Sequence, residues 1–148
     1  MNKFLHSDPL CKKVYDWEDG QRLAGIEIFK LGTVKRWIAK ACKYYRVPPP
    51  KVIRASPGAR TSGYDPKDET ILFVPFHLNP VVVLHEAAHH IADKLLGSEH
   101  GPIHSDYWFQ IYLWLLLKFE VYEPAFLRGS LKPYRLTLRP LSPAHFRH

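Results

Sequence analysis

The chain has 148 residues, of which 46% are hydrophobic and 14% aromatic, and its 21 basic and 14 acidic residues give a net charge of +7. This length and composition predict one folded domain with a buried core and exclude a disordered protein. There is no run of about 18 apolar residues and no apolar secretion signal at the start, which excludes a membrane span and predicts a cytoplasmic protein.

The first predicted helix covers residues 9–19. Pro9 suits its first turn, and Leu10, Val14 and Trp17 recur at the three- or four-residue spacing of a buried helical stripe. Gly20 ends the helix, and we expect residues 1–8 before it to be loose.

A second helix and three short strands are predicted next. Thr33 is placed to cap the helix, which the prolines at 48–50 stop because proline cannot continue a helix. Residues 51–55, 60–64 and 70–74 have the composition of strands and are separated by turn residues. This order predicts a small, largely antiparallel sheet.

The most informative helix follows this sheet. Asn79 is a good N-cap, Pro80 suits the first helical position and Gly97 supplies the stop. Between these limits the helix is apolar nearly all round, which is typical of a buried core helix. Polar side chains inside such a helix are costly unless they have partners.

That helix contains the pattern H-E-x-x-H at residues 85–89. His85 and His89, four residues apart, lie on one helix face and can reach one tetrahedral metal ion, for which zinc is the natural choice. Glu86 falls beside that face, where it can take a proton from a water without being a ligand. His90 is turned away from the ligand face, and we expect it to be packed or solvated.

A catalytic zinc site usually has three protein ligands, so a third is expected downstream. From the residues alone, His100 and His104 compete with Glu99 and Asp106, which would give a carboxylate ligand instead. Asp93, one turn after the second histidine, is interpreted either as a partner that orients an imidazole without binding the metal or as a solvated residue.

The rest of the chain is predicted to be mostly helical. Residues 105–119 form a long helix that is apolar nearly all round. A short helical piece at 125–128 and a strand at 134–138 follow, and residues 141–148 are expected to be loose.

Residues 128–148 form a basic C-terminal tail. After Glu123 the chain has no acidic residue. The tail can lie along phosphates, with Tyr134 and Phe146 available to stack on bases, so non-specific nucleic-acid contact is one interpretation. A solvated edge or an acidic partner protein is equally compatible with it.

Two motifs together resemble a known family. The H-E-x-x-H at 85–89, followed by H-G-P at 100–102, resembles the arrangement in SprT-like zincin metallopeptidases. The V-Y-x-x-E segment at 14–18, combined with the core V-L-H-E-A-A-H-H, is similar to small metallohydrolases of actinobacteria and their phages.

The resemblance implies an α+β, zincin-like single domain over residues 1–148, with the three-stranded sheet packed with three main helices. It makes His85, His89 and His100 the zinc ligands and Glu86 the general base for hydrolysis of a protein or peptide substrate. It also implies that Tyr15 or Glu18 approaches the metal. The aromatic residue that usually follows H-G-x-x is histidine here, at position 104.

Two alternatives remain open at this point. One is a DNA-associated SprT-like factor of a phage or mobile element, which the basic tail would target. The other is a non-catalytic domain in which His85, His89, His100 and His104 together close a structural zinc site.

Overall fold

The computed structural model of the chain describes residues 9–21, 28–75, 78–97 and 104–147. The expectation for residues 1–8 and the candidate ligands Glu99 and His100 lie outside these ranges. Within them the protein is α+β, as predicted. Its α-helices are α1 (Pro9–Gly20), α2 (Leu31–Tyr44), α3 (Pro80–Leu96), α4 (Asp106–Lys118) and α5 (Pro124–Leu131), and its strands are β1 (Lys51–Arg54), β2 (Gly63–Asp65) and β3 (Thr70–Phe73).

The three strands form one mixed sheet in the order β1-β3-β2. β2 pairs with β3 antiparallel, but β1 pairs with β3 in parallel. The prediction of a largely antiparallel sheet therefore holds for only one of the two strand pairs. Residues 55–62 connect β1 to β2 at the opposite edge of the sheet, and β3 then lies between the two strands. The Ser62 hydroxyl accepts a hydrogen bond from Val74 N at 3.0 Å.

Helices α3 and α4 form the centre of the core. The predicted limits of α3 are confirmed, since Asn79 Oδ1 accepts a hydrogen bond from Val82 N at 3.0 Å and Gly97, with φ of 77°, ends the helix. Ser105 caps α4 by accepting from Trp108 N. α3 packs against α2 and, most extensively, against α4. None of the helices in the described ranges is both long and apolar enough to cross a membrane.

Helices α1 and α2 cover this centre. Val14 and Trp17 are fully buried, which confirms the predicted stripe of α1. α2 begins after Lys30, so the prediction of Thr33 as its cap is wrong; the Thr33 hydroxyl lies in the first turn and accepts from Arg36 at 3.0 Å. Cys42, a buried free thiol, lies on the inner face of α2, and burial raises its pKa to about 12.

The C-terminal segment differs most from the prediction. Residues 134–138 form no strand; Lys132–Tyr134 is a 3-10 turn, and Arg135 has left-handed backbone geometry. The buried side chain of Gln110 supplies the hydrogen bonds that a neighbouring strand would supply, donating to Thr137 O at 2.9 Å and accepting from Arg139 N at 2.7 Å. Residues 141–148 are expected to be loose, but Pro143–Phe146 forms a 3-10 turn. Phe146 in this turn packs against Tyr45.

Candidate metal centre

Three histidine side chains converge between α3 and α4. α3 supplies His85 and His89, and His104 lies just before the cap of α4. One potential donor atom of each lies within 4.8 Å of the others. His85 and His104 are buried and His89 is partly buried. The structure thus brings together two predicted ligands and the alternative third ligand.

The distances within this group fit one metal ion. His85 Nε2 and His89 Nε2 are 3.2 Å apart. Two nitrogens that bind one tetrahedral zinc ion at its usual bond length lie about 3.3 Å apart. The helical spacing of four residues therefore already holds these two nitrogens at the separation that a shared ion requires.

Trp108 of α4 lies against all three histidines. Its ring stacks on His89, with centroids 4.6 Å apart and planes at 12°, and meets His85 and His104 edge to face at 4.8 and 4.7 Å. The indole N–H donates to the backbone oxygen of His85 at 3.3 Å. This fully buried ring limits the rotation of the three imidazoles and keeps water from one side of the site.

Glu18 of α1 fixes the orientation of His85. Its Oε2 lies 2.9 Å from His85 Nδ1 and accepts a second hydrogen bond from the Tyr112 hydroxyl at 2.8 Å. This contact favours the tautomer of His85 in which Nδ1 donates to the carboxyl group and Nε2 keeps its lone pair for a metal. Burial lowers the pKa of His85, but the charge and hydrogen bond of Glu18, together with the charge of Glu86, outweigh burial, and the pKa is raised.

Glu86 lies buried beside this group. Its Oε2 is the one side-chain nitrogen or oxygen atom in the described ranges that is fully buried and has no hydrogen-bond partner. Burial raises the pKa of Glu86, His85 opposes that shift and the nearby Glu18 carboxylate adds to it. A buried carboxylate oxygen without a hydrogen-bond partner among the described residues is costly.

The V-Y-x-x-E segment of α1 reaches the site through two side chains on one helix face. Tyr15 and Glu18 are three residues apart, and both face the histidines: Tyr15 Oη lies 3.4 Å from His104 Nε2, and Glu18 binds His85. Helical periodicity alone assigns neither residue to the site, since the partners are far along the chain.

Two predicted candidates have other partners. Asp106 accepts hydrogen bonds from Arg139 at 3.1 Å and from Gln110 at 3.2 Å, which directs it to the C-terminal segment. Asp93 accepts from the Tyr64 hydroxyl at 3.1 Å, which ties α3 to β2. The same hydroxyl lies 3.1 Å from Nδ1 of His90. His90 is fully buried, so of the two interpretations, packed or solvated, the packed one is confirmed.

Comparison of the chain with protein-family models, with curated proteins and with solved structures finds no match.

Proposed function

We propose that the protein is a metal-dependent hydrolase that cleaves peptide bonds. His85, His89 and His104 would hold the ion, and Glu86 would act as the general base. The observation that carries this proposal is the convergence of three imidazoles beside a buried carboxylate oxygen that has no hydrogen-bond partner among the described residues.

The donor set favours zinc. Imidazole nitrogens suit zinc among the common metals, and three protein ligands with one open position are typical of catalytic rather than structural zinc sites. A bound zinc ion supplies Lewis acidity, which polarises a carbonyl group and makes a water molecule acidic near neutral pH. We propose His104 as the third ligand in place of His100, because His104 has the geometry described above.

The side chains around the ion have separate tasks in this proposal. Glu86 takes the proton of the attacking water and returns it to the leaving amine. Glu18 holds His85 in the tautomer that binds metal, and Tyr112 holds Glu18 in turn. Trp108 excludes water from the inner side of the site. A purely structural zinc site would have no use for Glu86, which is why we favour a catalytic one.

The metal content of purified protein tests this proposal directly. We expect about one zinc ion per chain by elemental analysis, together with slow cleavage of an unfolded substrate such as casein. A chelator should abolish the cleavage and added zinc should restore it. Protein that neither contains zinc after purification nor binds it on titration would contradict the proposal.

A second candidate function, association with nucleic acid, is favoured by a groove of about 300 Å³ near the C-terminus. The groove lies between the end of α2 and the last 3-10 turn. Half-buried Tyr44 and Phe146 line it together with exposed Arg46 and Arg147, and among the described residues no acidic side chain does. Flat rings beside guanidinium groups suit the bases and phosphates of a single strand.

We expect single-stranded DNA to bind with an affinity that falls steeply with salt. Replacing Arg46 and Arg147 together by serine should make the slope of log affinity against log salt less steep by about 0.7 for each phosphate that the protein no longer neutralises. Arg139→Ser is the matched control, because Arg139 already pairs with Asp106. Fluorescence anisotropy measures the binding. If its salt dependence were the same in all three proteins, the groove would not be the binding site for DNA.

A further inference from the structure

Tyr15 lies against two of the three histidines. Its ring is parallel to that of His85, at 7° and 6.0 Å between centroids, and meets His104 edge to face at 5.3 Å. The residue is 46% exposed, although Val14 and Trp17 on either side of it in α1 are fully buried. The backbone of Tyr15 is therefore anchored, while its side chain faces both the site and solvent.

The distance of the Tyr15 hydroxyl from His104 suits a second donor on the same ion. Tyr15 Oη lies 3.4 Å from His104 Nε2. This is longer than ordinary hydrogen bonds, which rarely exceed about 3.2 Å. It is close to the separation of about 3.3 Å between two donors on one tetrahedral ion. The distance of 3.2 Å between His85 Nε2 and His89 Nε2 is also close to this separation.

We propose that the phenol oxygen of Tyr15 is a fourth, displaceable ligand of the metal. When the ion binds, the O–H bond of the phenol breaks, an oxygen–metal bond forms, and the proton leaves to solvent. The inference rests on the proposed metal site and adds a gate to it. In the resting protein Tyr15 occupies the position that the substrate needs.

The exposure of Tyr15 distinguishes this gate from a structural fourth ligand. Structural zinc sites are closed by four protein ligands. A half-exposed side chain at the edge of the site can instead swing outward when a carbonyl oxygen of the substrate takes its position. Tyr15 and Glu18 then have opposite tasks on one face of α1, since Glu18 stabilises a permanent ligand and Tyr15 is exchanged.

Absorption spectroscopy tests the inference without measuring activity. On titration of metal-free protein with zinc at neutral pH, we expect an ultraviolet difference spectrum that corresponds to one ionised tyrosine per ion. With Cu²⁺ in place of zinc, we expect a visible charge-transfer band from phenolate to copper. Tyr15→Phe should lose both signals and still bind the ion. Tyr107→Phe is the matched control, because Tyr107 is 49% exposed and lies on α4; it should keep both.

Acetohydroxamate, a small chelating ligand for zinc-type sites, tests the gate itself. Excess acetohydroxamate should remove the copper band of the wild type while the copper stays bound. Metal binding without a tyrosinate signal in the wild type would overturn the inference and leave the proposed function standing. A signal that acetohydroxamate cannot remove would overturn the gate. Failure of the wild type to bind zinc or copper would overturn the proposed function as well.

Discussion

Glu86→Gln should bind the metal as the wild type does and hydrolyse peptide bonds about 10²- to 10⁴-fold more slowly. This is the usual contribution of a positioned general base, and glutamine cannot accept the proton of the attacking water. The residue is buried, with 7% of it exposed, so the shape of its side chain matters for packing. Glutamine has nearly the shape of glutamate, and the fold should therefore be preserved. Zinc content and the initial rate of casein cleavage, measured on the same samples, check both parts.

Glu120→Gln is the control, because this exposed residue lies in the turn after α4. It removes the same charge and should leave the rate unchanged. If Glu86→Gln bound zinc and cleaved casein at the wild-type rate, Glu86 would not be the base. The proton acceptor would then have to be sought elsewhere in the site.

His104→Ala should lose zinc, while His100→Ala should keep most of it. Loss of a direct ligand should weaken zinc binding by more than the factor of about 10–100 that loss of an outer hydrogen-bond partner costs. The resemblance to SprT-like metallopeptidases favours His100, whereas the geometry of the described residues favours His104. Competition for zinc against a coloured chelator measures the affinity of each variant.

His145→Ala is the matched control for these two variants, because His145 is exposed in the last 3-10 turn and packs edge to face on Phe146. It should bind zinc like the wild type. The opposite order, with zinc lost in His100→Ala and kept in His104→Ala, would restore the ligand set that the resemblance implies. Loss of zinc in both variants would indicate a site that uses both histidines.

Local sequence signals predicted the helix at the centre of the site. Asn79, Pro80 and Gly97 act through the backbone of their own helix, so the limits of α3 could be predicted without knowledge of the rest of the fold. The spacing of His85 and His89 likewise fixes their common face. These predictions succeeded because each depends on residues only a few positions apart.

The partners of these residues could not be predicted in the same way. Glu18 and His85 lie 67 positions apart, and nothing in the local pattern of either residue indicates that they meet. The parallel pairing of β1 with β3 is another long-range choice, since the turns alone suit an antiparallel order equally well. The predicted strand at 134–138 failed because the buried amide of Gln110 satisfies that backbone instead.

The assembly of the proposed site from α1, α3 and the segment before α4 would link metal binding to folding. An unfolded chain would not hold Tyr15 and His104 beside the histidines of α3, so an ion would bind the native state much more tightly. At a free metal concentration one hundred times the dissociation constant, such a ligand adds about 2.7 kcal/mol to the free energy of unfolding. The supply of metal in the cell would then govern how much folded protein survives proteolysis, in addition to how much of it is active.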